Sequence, residues 1–282
     1  MFRHALLLAF RNFRRYTGSF LINLIGLSTG LFCAIMIYLW VNDELSVDRF
    51  HQNADRTYVV LKNATTPNGV LTFDETPGIL ADVLPTEMPE VQYAAAVISP
   101  QRENKKGIFV IDNNNVEAVD LCVSKDFFKI FTFPLVQGDK NDVLSGVNDI
   151  VISDELAMKL FHTTDNIIGK QVQWNRVQMS GPYIVSGVFK KPPSNSTLQF
   201  DVLFNYKSFL AKNEKLTSWK NGGPTTYVML KQGVDPGKFN AKIAGYLQQK
   251  GGRKRSLFKN FPTGIYMANT RTVYQQAAAL GT

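Results

Sequence analysis

The chain has 282 residues with 31 Lys and Arg against 23 Asp and Glu, and its formal net charge of +8 is unevenly distributed. Residues 1–16 carry four arginines and no acid, residues 17–230 carry 18 basic and 22 acidic side chains, and residues 231–282 carry nine and one. Two cysteines, Cys33 and Cys122, with three scattered histidines, exclude a disulfide framework and the common zinc motifs.

The first predicted element is a short amphipathic helix over residues 1–16. Apolar side chains recur at helical spacing from Phe2 to Phe13, and arginines occupy the other face. Such a helix is expected to lie in the inner-leaflet interface, with its arginines towards lipid phosphate. A disordered basic start is the alternative interpretation.

The second predicted element is a transmembrane helix over residues 17–42. No charged residue occurs from Tyr16 to Asn42, and the apolar centre, Phe20 to Val41, contains 22 residues. As a helix that centre is about 33 Å long, which matches a hydrocarbon core of about 30 Å. A cleavable signal peptide is the competing interpretation. We favour a retained span because the run exceeds an ordinary signal core and no Ala-x-Ala-like site follows it.

The charges on the two flanks of this run predict its orientation. The charged residues before the run are four arginines, of which Arg11, Arg14 and Arg15 lie nearest to it, and acidic residues follow the run. Because Arg and Lys beside a span stay on the cytoplasmic side, we expect a cytoplasmic N-terminus and residues 43–282 outside.

Two glycines within the predicted span favour contact with another helix. Gly26 and Gly30 are four residues apart, so they share one face of the helix. Small side chains on one face let a second helix approach closely in lipid. The alternative is that small residues are simply common in spans.

The remaining chain is long enough for a substantial core and is predicted to be an α+β domain. Strands are predicted at residues 56–62, 91–99, 107–112, 116–123, 149–152, 171–174, 183–189, 198–204 and 225–230. Helices are predicted at residues 76–87, with Thr76 as cap, 124–131, 153–161, with Ser153 as cap, and 235–249. Because hairpins interrupt the alternation of strands and helices, we favour α+β over a doubly wound parallel sheet.

No motif for catalysis, a cofactor or a metal is present. The chain lacks a complete phosphate-binding loop, a His-Glu-x-x-His helix and a Gly-x-Ser-x-Gly elbow. We therefore predict no enzyme activity, no catalytic residues, no cofactor and no metal site. The basic cluster between Lys250 and Arg255 has no interleaved stacking aromatics, so we interpret it as a solvated loop and expect no nucleic-acid partner.

Seven stretches, in chain order, carry a resemblance to a known family. They are RNFRRYTGSFLINLIGLSTGL, NDELSVDRFHQNADRTYVV, FFKIFTFPLVQGD, DIVISDELAMKLF, IIGK, PPSNSTLQFD and TYVMLKQGVDPGKF. Together they resemble the N-terminal part of MacB/FtsX-family ABC transporter permeases, in the multi-copy form of Bacteroidota-like bacteria. The resemblance implies an elbow helix, one N-terminal transmembrane helix and a two-lobed mixed α/β periplasmic domain over residues 43–282.

The resemblance also implies a function and a location. It implies the N-terminal portion of a permease subunit for efflux or mechanotransmission, coupled to a separate cytoplasmic ABC-type ATPase and located in the bacterial inner membrane. It further implies dimerisation with itself or a paralogous permease, contact with membrane lipid, and room for a periplasmic partner. The first helix would continue outward as a stalk whose candidate residues are Asp43, Glu44, Asp48, Arg49 and Phe50.

The chain departs from the family pattern after the predicted domain. No later run is apolar enough to span, and no return strand is predicted after residue 249 to close the first lobe. We therefore expect the N-terminal fragment of a longer permease. A single-span, membrane-anchored periplasmic sensor or binding protein is the alternative, although sixteen N-terminal residues cannot supply an output domain. An anchored periplasmic enzyme is disfavoured because the sequence carries no catalytic motif.

Overall fold

The computed structural model describes residues 15–66, 69–98, 106–111, 114–176, 179–219, 221–250 and 263–269. The chain divides into two compact units, Met1–Val47 and Asp48–Thr282. The predicted elbow helix, with Arg11 and Arg14, lies almost wholly outside the described residues. Arg15 is described, and its guanidinium lies 5.8 Å from the centre of the Tyr16 ring.

The first unit contains one long helix, α1 (Thr17–Ser46). By length and composition it is the one helix among the described residues that could cross a membrane. It continues four residues past the predicted end of the span, because the acidic residues that follow Asn42 are compatible with a helix. The helix ends at Val47, whose φ of −55° and ψ of 129° are not helical.

The second unit is a mixed α/β domain. Its strands are β1 (Thr57–Thr66), β2 (Gly69–Phe73), β3 (Glu75–Pro77), β4 (Val91–Ile98), β5 (Gly107–Ile111), β6 (Asn114–Ala118), β7 (Asp120–Val123), β8 (Leu135–Gln137), β9 (Asp149–Ser153), β10 (Gln171–Asn175), β11 (Gly181–Phe189), β12 (Val202–Asn205), β13 (Gly222–Leu230) and β14 (Thr263–Asn269). Its helices are α2 (Leu80–Glu87), α3 (Phe127–Ile130), α4 (Asp154–Phe161), α5 (Tyr206–Lys212), α6 (Pro236–Ile243) and α7 (Tyr246–Lys250). Short 3₁₀ turns lie at Ala54–Arg56 and Glu214–Thr217.

All of these strands belong to one sheet. Its order is β14-β1-β13-β4-β7-β12-β9-β11-β10-β5-β6, with β2, β3 and β8 attached to β1, β13 and β11. Strand β7 pairs with β12 and β9 with β11 in parallel, and the other recorded pairs are antiparallel. A mixed α/β domain after one N-terminal apolar helix is thus confirmed, and the sheet runs continuously through the region where two lobes were expected.

Both faces of the central strands are buried. In β1, Val59 and Leu61 belong to one hydrophobic cluster and Val60 to the other. Strand β13 alternates in the same way, because successive side chains of a strand point to opposite faces. This burial on two faces explains why the strand sequences are continuous apolar runs rather than alternating ones.

The helix predicted to begin at Thr76 was placed too early. Residues Glu75–Pro77 form β3 beside β13, and α2 begins only at Leu80. The Thr76 hydroxyl is fully buried, donates to the Pro224 carbonyl at 2.9 Å and bonds the Thr226 hydroxyl at 2.6 Å. Pairing with a distant strand therefore uses the hydroxyl that the sequence pattern assigned to a helix cap.

The expectation that no strand follows the last helix was wrong. Strand β14 pairs antiparallel with β1 over seven residues, from Tyr58 opposite Asn269 to Ala64 opposite Thr263. This strand returns the chain to the edge of the sheet beside the strand that opens the domain. Its backbone closes the side of β1 that faces away from β13.

We predict that Cys122 is unreactive in the folded protein. Burial raises the pKa of its thiol, and the nearby Asp120 carboxylate raises that pKa further. In a Cys33→Ser variant, where Cys122 is the only cysteine, Ellman's reagent at pH 8.5 should label the folded chain at least about 1,000-fold more slowly than the denatured chain. A Val147→Cys addition is the control, because that position is half exposed and should react at once. Equal rates at the two cysteines would contradict the prediction.

Candidate functional site: the entry segment and its two loops

The second unit begins with a buried turn, residues 48–52, which we call the entry segment. Asp48 is 8% exposed and has a φ of 55°, a conformation that residues other than glycine seldom adopt. The stalk candidates Asp48, Arg49 and Phe50 therefore do not continue α1, whereas Asp43 and Glu44 lie in its last turn. The helical stalk predicted through Phe50 needs this correction, because the backbone turns at Asp48.

Asp48 makes three hydrogen bonds to a loop formed by residues 193–199. Its backbone N–H donates to the Asn195 carbonyl at 3.0 Å. Its Oδ1 accepts from the Thr197 backbone N–H at 3.0 Å, and its Oδ2 accepts from the Thr197 hydroxyl. A buried carboxylate needs such donors to offset lost hydration, so these contacts fix both Asp48 and the loop.

The 193–199 loop is braced by its own side chains. The Gln199 amide nitrogen donates to the carbonyls of Pro193 and Ser196 at 2.7 and 2.9 Å. The Ser196 hydroxyl donates to the Leu198 carbonyl at 3.1 Å. These hydrogen bonds within the loop hold Thr197 in position beside Asp48.

His51 and Gln52 hold a second loop, residues 131–134. The His51 Nδ1 accepts from the Thr132 backbone N–H at 3.0 Å, and the Gln52 backbone N–H donates to the Thr132 hydroxyl at 3.0 Å. Because Nδ1 is an acceptor, the neutral ring carries its proton on Nε2. That nitrogen is 4.0 Å from the Asp48 Oδ1, so the side chains of Asp48 and His51 face each other.

Aromatic rings connect the entry segment to the sheet. The His51 ring centre lies 4.1 Å from Phe50 and 5.1 Å, edge-on, from Phe133. Phe133 in turn contacts Phe200 edge-on at 5.0 Å, and Phe200 contacts Phe189 in β11 at 5.0 Å. Aromatic pairs stabilise a fold beyond the contribution of their buried apolar area. Through these ring contacts the entry segment is part of the core.

The cavity beside these residues is too small for a transported molecule. Its volume is about 10 Å³, and it is lined by Asp48, His51, Ala54, Thr57, Ile130, Phe131 and Leu198. A drug-sized ligand needs about 300 Å³ or more, whereas this space holds about one water. The described residues also contain no group of three or more His, Cys, Asp or Glu placed to hold a metal ion.

The other predicted site residues lie on α1. Gly26 and Gly30 occupy successive turns, and a Cβ added at either would meet no atom within 4 Å beyond the neighbouring backbone of the helix itself. Sequence reasoning missed His51, Thr132 and Thr197 as partners in one cluster. The sequence offered one indication of the cluster. Each of these residues lies in a different one of the seven stretches that carry the family resemblance.

Comparison with known proteins places the chain in a family. Residues 20–246 match the family described as MacB-like periplasmic core domain. The chain belongs to this family. A MacB-like core domain identifies the chain as a component of an ABC transporter permease, and family members act with a cytoplasmic ATPase subunit. One apolar helix joined to such a domain is the organisation of a membrane-anchored protein.

Solved structures share the MacB-like fold. A domain of a protein described as a permease from Porphyromonas gingivalis is 23% identical, covers 78% of this chain and 92% of its own, and superposes with a TM-score of 0.65. The periplasmic region of MacB from Actinobacillus actinomycetemcomitans is 17% identical, with 83% and 94% coverage and a TM-score of 0.52. No curated protein matches the chain.

Proposed function

We propose that this MacB-like chain is the N-terminal portion of a permease subunit of an ABC-type efflux or mechanotransmission transporter. A separate cytoplasmic ATPase hydrolyses ATP, and the chain converts the ATPase cycle into motion of its periplasmic domain without catalysing a reaction itself. The observation that carries the proposal is the family match over residues 20–246, which begins inside the apolar helix and includes most of the domain.

The charge pattern supports an inner-membrane location with the N-terminus in the cytoplasm. Arg11, Arg14 and Arg15 precede α1, whereas Asp43 and Glu44 close its last turn. Arginine beside a span stays on the cytoplasmic side, so the domain is exported. The cavity beside the entry segment has room for about one water, so the proposal gives that segment no part in binding substrate.

Hydrogen exchange of the native transporter tests the function. The complex is purified from its own membranes into lipid nanodiscs, and amide exchange of residues 48–250 is measured with and without a non-hydrolysable ATP analogue. We expect nucleotide to change exchange within the domain, because the cycle alters its local stability. Identical exchange with and without nucleotide would instead favour a single-span binding protein.

Replacement of both span glycines should disrupt assembly. We expect Gly26→Leu with Gly30→Leu to reduce cross-linking between two differently tagged copies roughly five- to thirtyfold, because the larger side chains keep a partner helix at a distance. Membrane insertion should be unchanged, since leucine is more apolar than glycine.

The matched control is Ser28→Leu, which enlarges a small residue on a different face of α1. It should leave cross-linking at the wild-type level. Cross-linking that survives in the double glycine variant would show that this face does not contact another copy.

A further inference from the structure

We propose that Asp48 and His51 are positioning residues that pass a displacement of the chain at residue 48 to two loops of the domain. The loops are residues 131–134 and 193–199. This inference rests on the proposed function and adds the point at which motion enters the domain. It assigns a role to the polar cluster that follows α1, which neither the fold nor the family match assigns.

Asp48 is held more tightly than a turn residue requires. A positive φ at a residue other than glycine persists only where the surroundings fix it. Three hydrogen bonds fix it here, two from Thr197 to the carboxylate and one from Asp48 to the Asn195 carbonyl. Movement of Asp48 must therefore carry the 193–199 loop or break all three bonds.

Thr132 is hydrogen-bonded to the entry segment through two of its atoms. Its backbone N–H donates to the His51 Nδ1, and its hydroxyl accepts from the Gln52 N–H. Neither atom belongs to a strand, so these bonds contribute nothing to the sheet ladder. They tie the entry segment to a loop 80 residues further along the chain.

Both loops are packed against the strands at the centre of the domain. Leu198 of the 193–199 loop lies against the hydrophobic cluster that includes Phe189 of β11 and Tyr227 of β13. Phe131 contacts Tyr227 of β13 edge-on at 5.0 Å. The Lys190 N–H, just after β11, donates to the Pro134 carbonyl at 2.9 Å. Close-packed cores transmit displacement rather than absorb it, so movement of the loops reaches β11 and β13.

The test compares variants of the native transporter in nanodiscs, with exchange in the two loops measured with and without the ATP analogue. Thr197→Val removes one bond and keeps the side-chain shape, Asp48→Asn removes the charge, and His51→Phe keeps a ring without the acceptor. We expect Thr197→Val and Asp48→Asn to reduce the nucleotide-dependent change in the 193–199 loop, and His51→Phe to reduce it in the 131–134 loop, each at least about twofold. Exchange of β13 without nucleotide should stay at the wild-type level.

Asp149→Asn is the matched control. Asp149 also fixes a turn through its carboxylate, which accepts from the Gly146 N–H at 2.6 Å and the Ser145 hydroxyl at 3.5 Å. This carboxylate makes no recorded contact with the entry segment, so its variant should keep the full nucleotide response.

Each outcome decides between the proposals. A wild-type transporter that ignores nucleotide contradicts the proposed function, and the role of the entry segment falls with it. If the wild type responds and all three variants respond equally, the positioning role alone is overturned. It is also overturned if the variants exchange faster by the same factor with and without nucleotide, because that result indicates only a structural role. Thr197→Val is the mildest change and keeps the test informative should Asp48→Asn unfold.

Discussion

Replacing Arg176 with Met is expected to lower the free energy of unfolding by about 3–5 kcal/mol. The Arg176 guanidinium pairs with the Asp120 carboxylate, whose side chain is only 3% exposed. Loss of the cation leaves a buried negative charge without this compensation, and that state is more costly than the lost contact itself. Guanidinium unfolding of the full chain in detergent micelles, followed by circular dichroism, measures the effect.

Two further variants isolate the charge as the cause. Arg176→Met should cost much less in an Asp120→Asn background, because no buried charge then remains. Lys106→Met removes an exposed partner of Glu117, with both side chains at least 60% exposed, and should cost under about 1 kcal/mol. Equal losses for Lys106→Met and Arg176→Met would refute the account of the buried pair.

The second large effect is expected at Gly107, the first residue of β5. A Cβ at this position would lie 1.9 Å from Cζ2 of Trp174, far inside van der Waals contact. The indole is fully buried, with ring centres of Phe109 and Phe204 at 4.5 and 5.2 Å, so it has no space to retreat. We expect Gly107→Ala to destabilise the domain by about 3 kcal/mol, the upper end of the usual range for overpacking.

The same unfolding assay supplies the controls for Gly107. Gly245→Ala adds the same methyl group where its nearest contact is 4.0 Å away, and stability should change by less than about 0.5 kcal/mol. Trp174→Phe combined with Gly107→Ala should recover part of the loss, because the smaller ring vacates the clashing position. If Gly107→Ala alone has the same free energy of unfolding as the wild type, the close approach of β5 to the Trp174 indole is contradicted.

Local signals in the sequence predicted the features that depend on neighbouring residues. The charge-free run predicted α1, because exclusion of charge from lipid is a property of composition. Ser153 was predicted as a helix cap, and its hydroxyl accepts from the Leu156 N–H at 3.1 Å. In both cases the deciding interactions lie within one element.

Features that depend on distant partners were beyond the sequence. The Thr76–Pro77 pattern suits both a helix start and an edge strand, and the choice is made by β13, about 150 residues away. Strand β14 is likewise specified by its pairing with β1. The entry segment is a further case, because Asp48 and Thr197 are 149 residues apart and neither residue type indicates the other.

The most direct test of the central claim is purification of the tagged chain from its native membranes, with identification of whatever accompanies it. We predict that an ATP-binding subunit co-purifies in stoichiometric amounts and that the complex hydrolyses ATP. A chain recovered from intact native complexes without any ATP-binding subunit, and without ATP hydrolysis, would contradict the assignment of this MacB-like protein to an ATPase-driven permease.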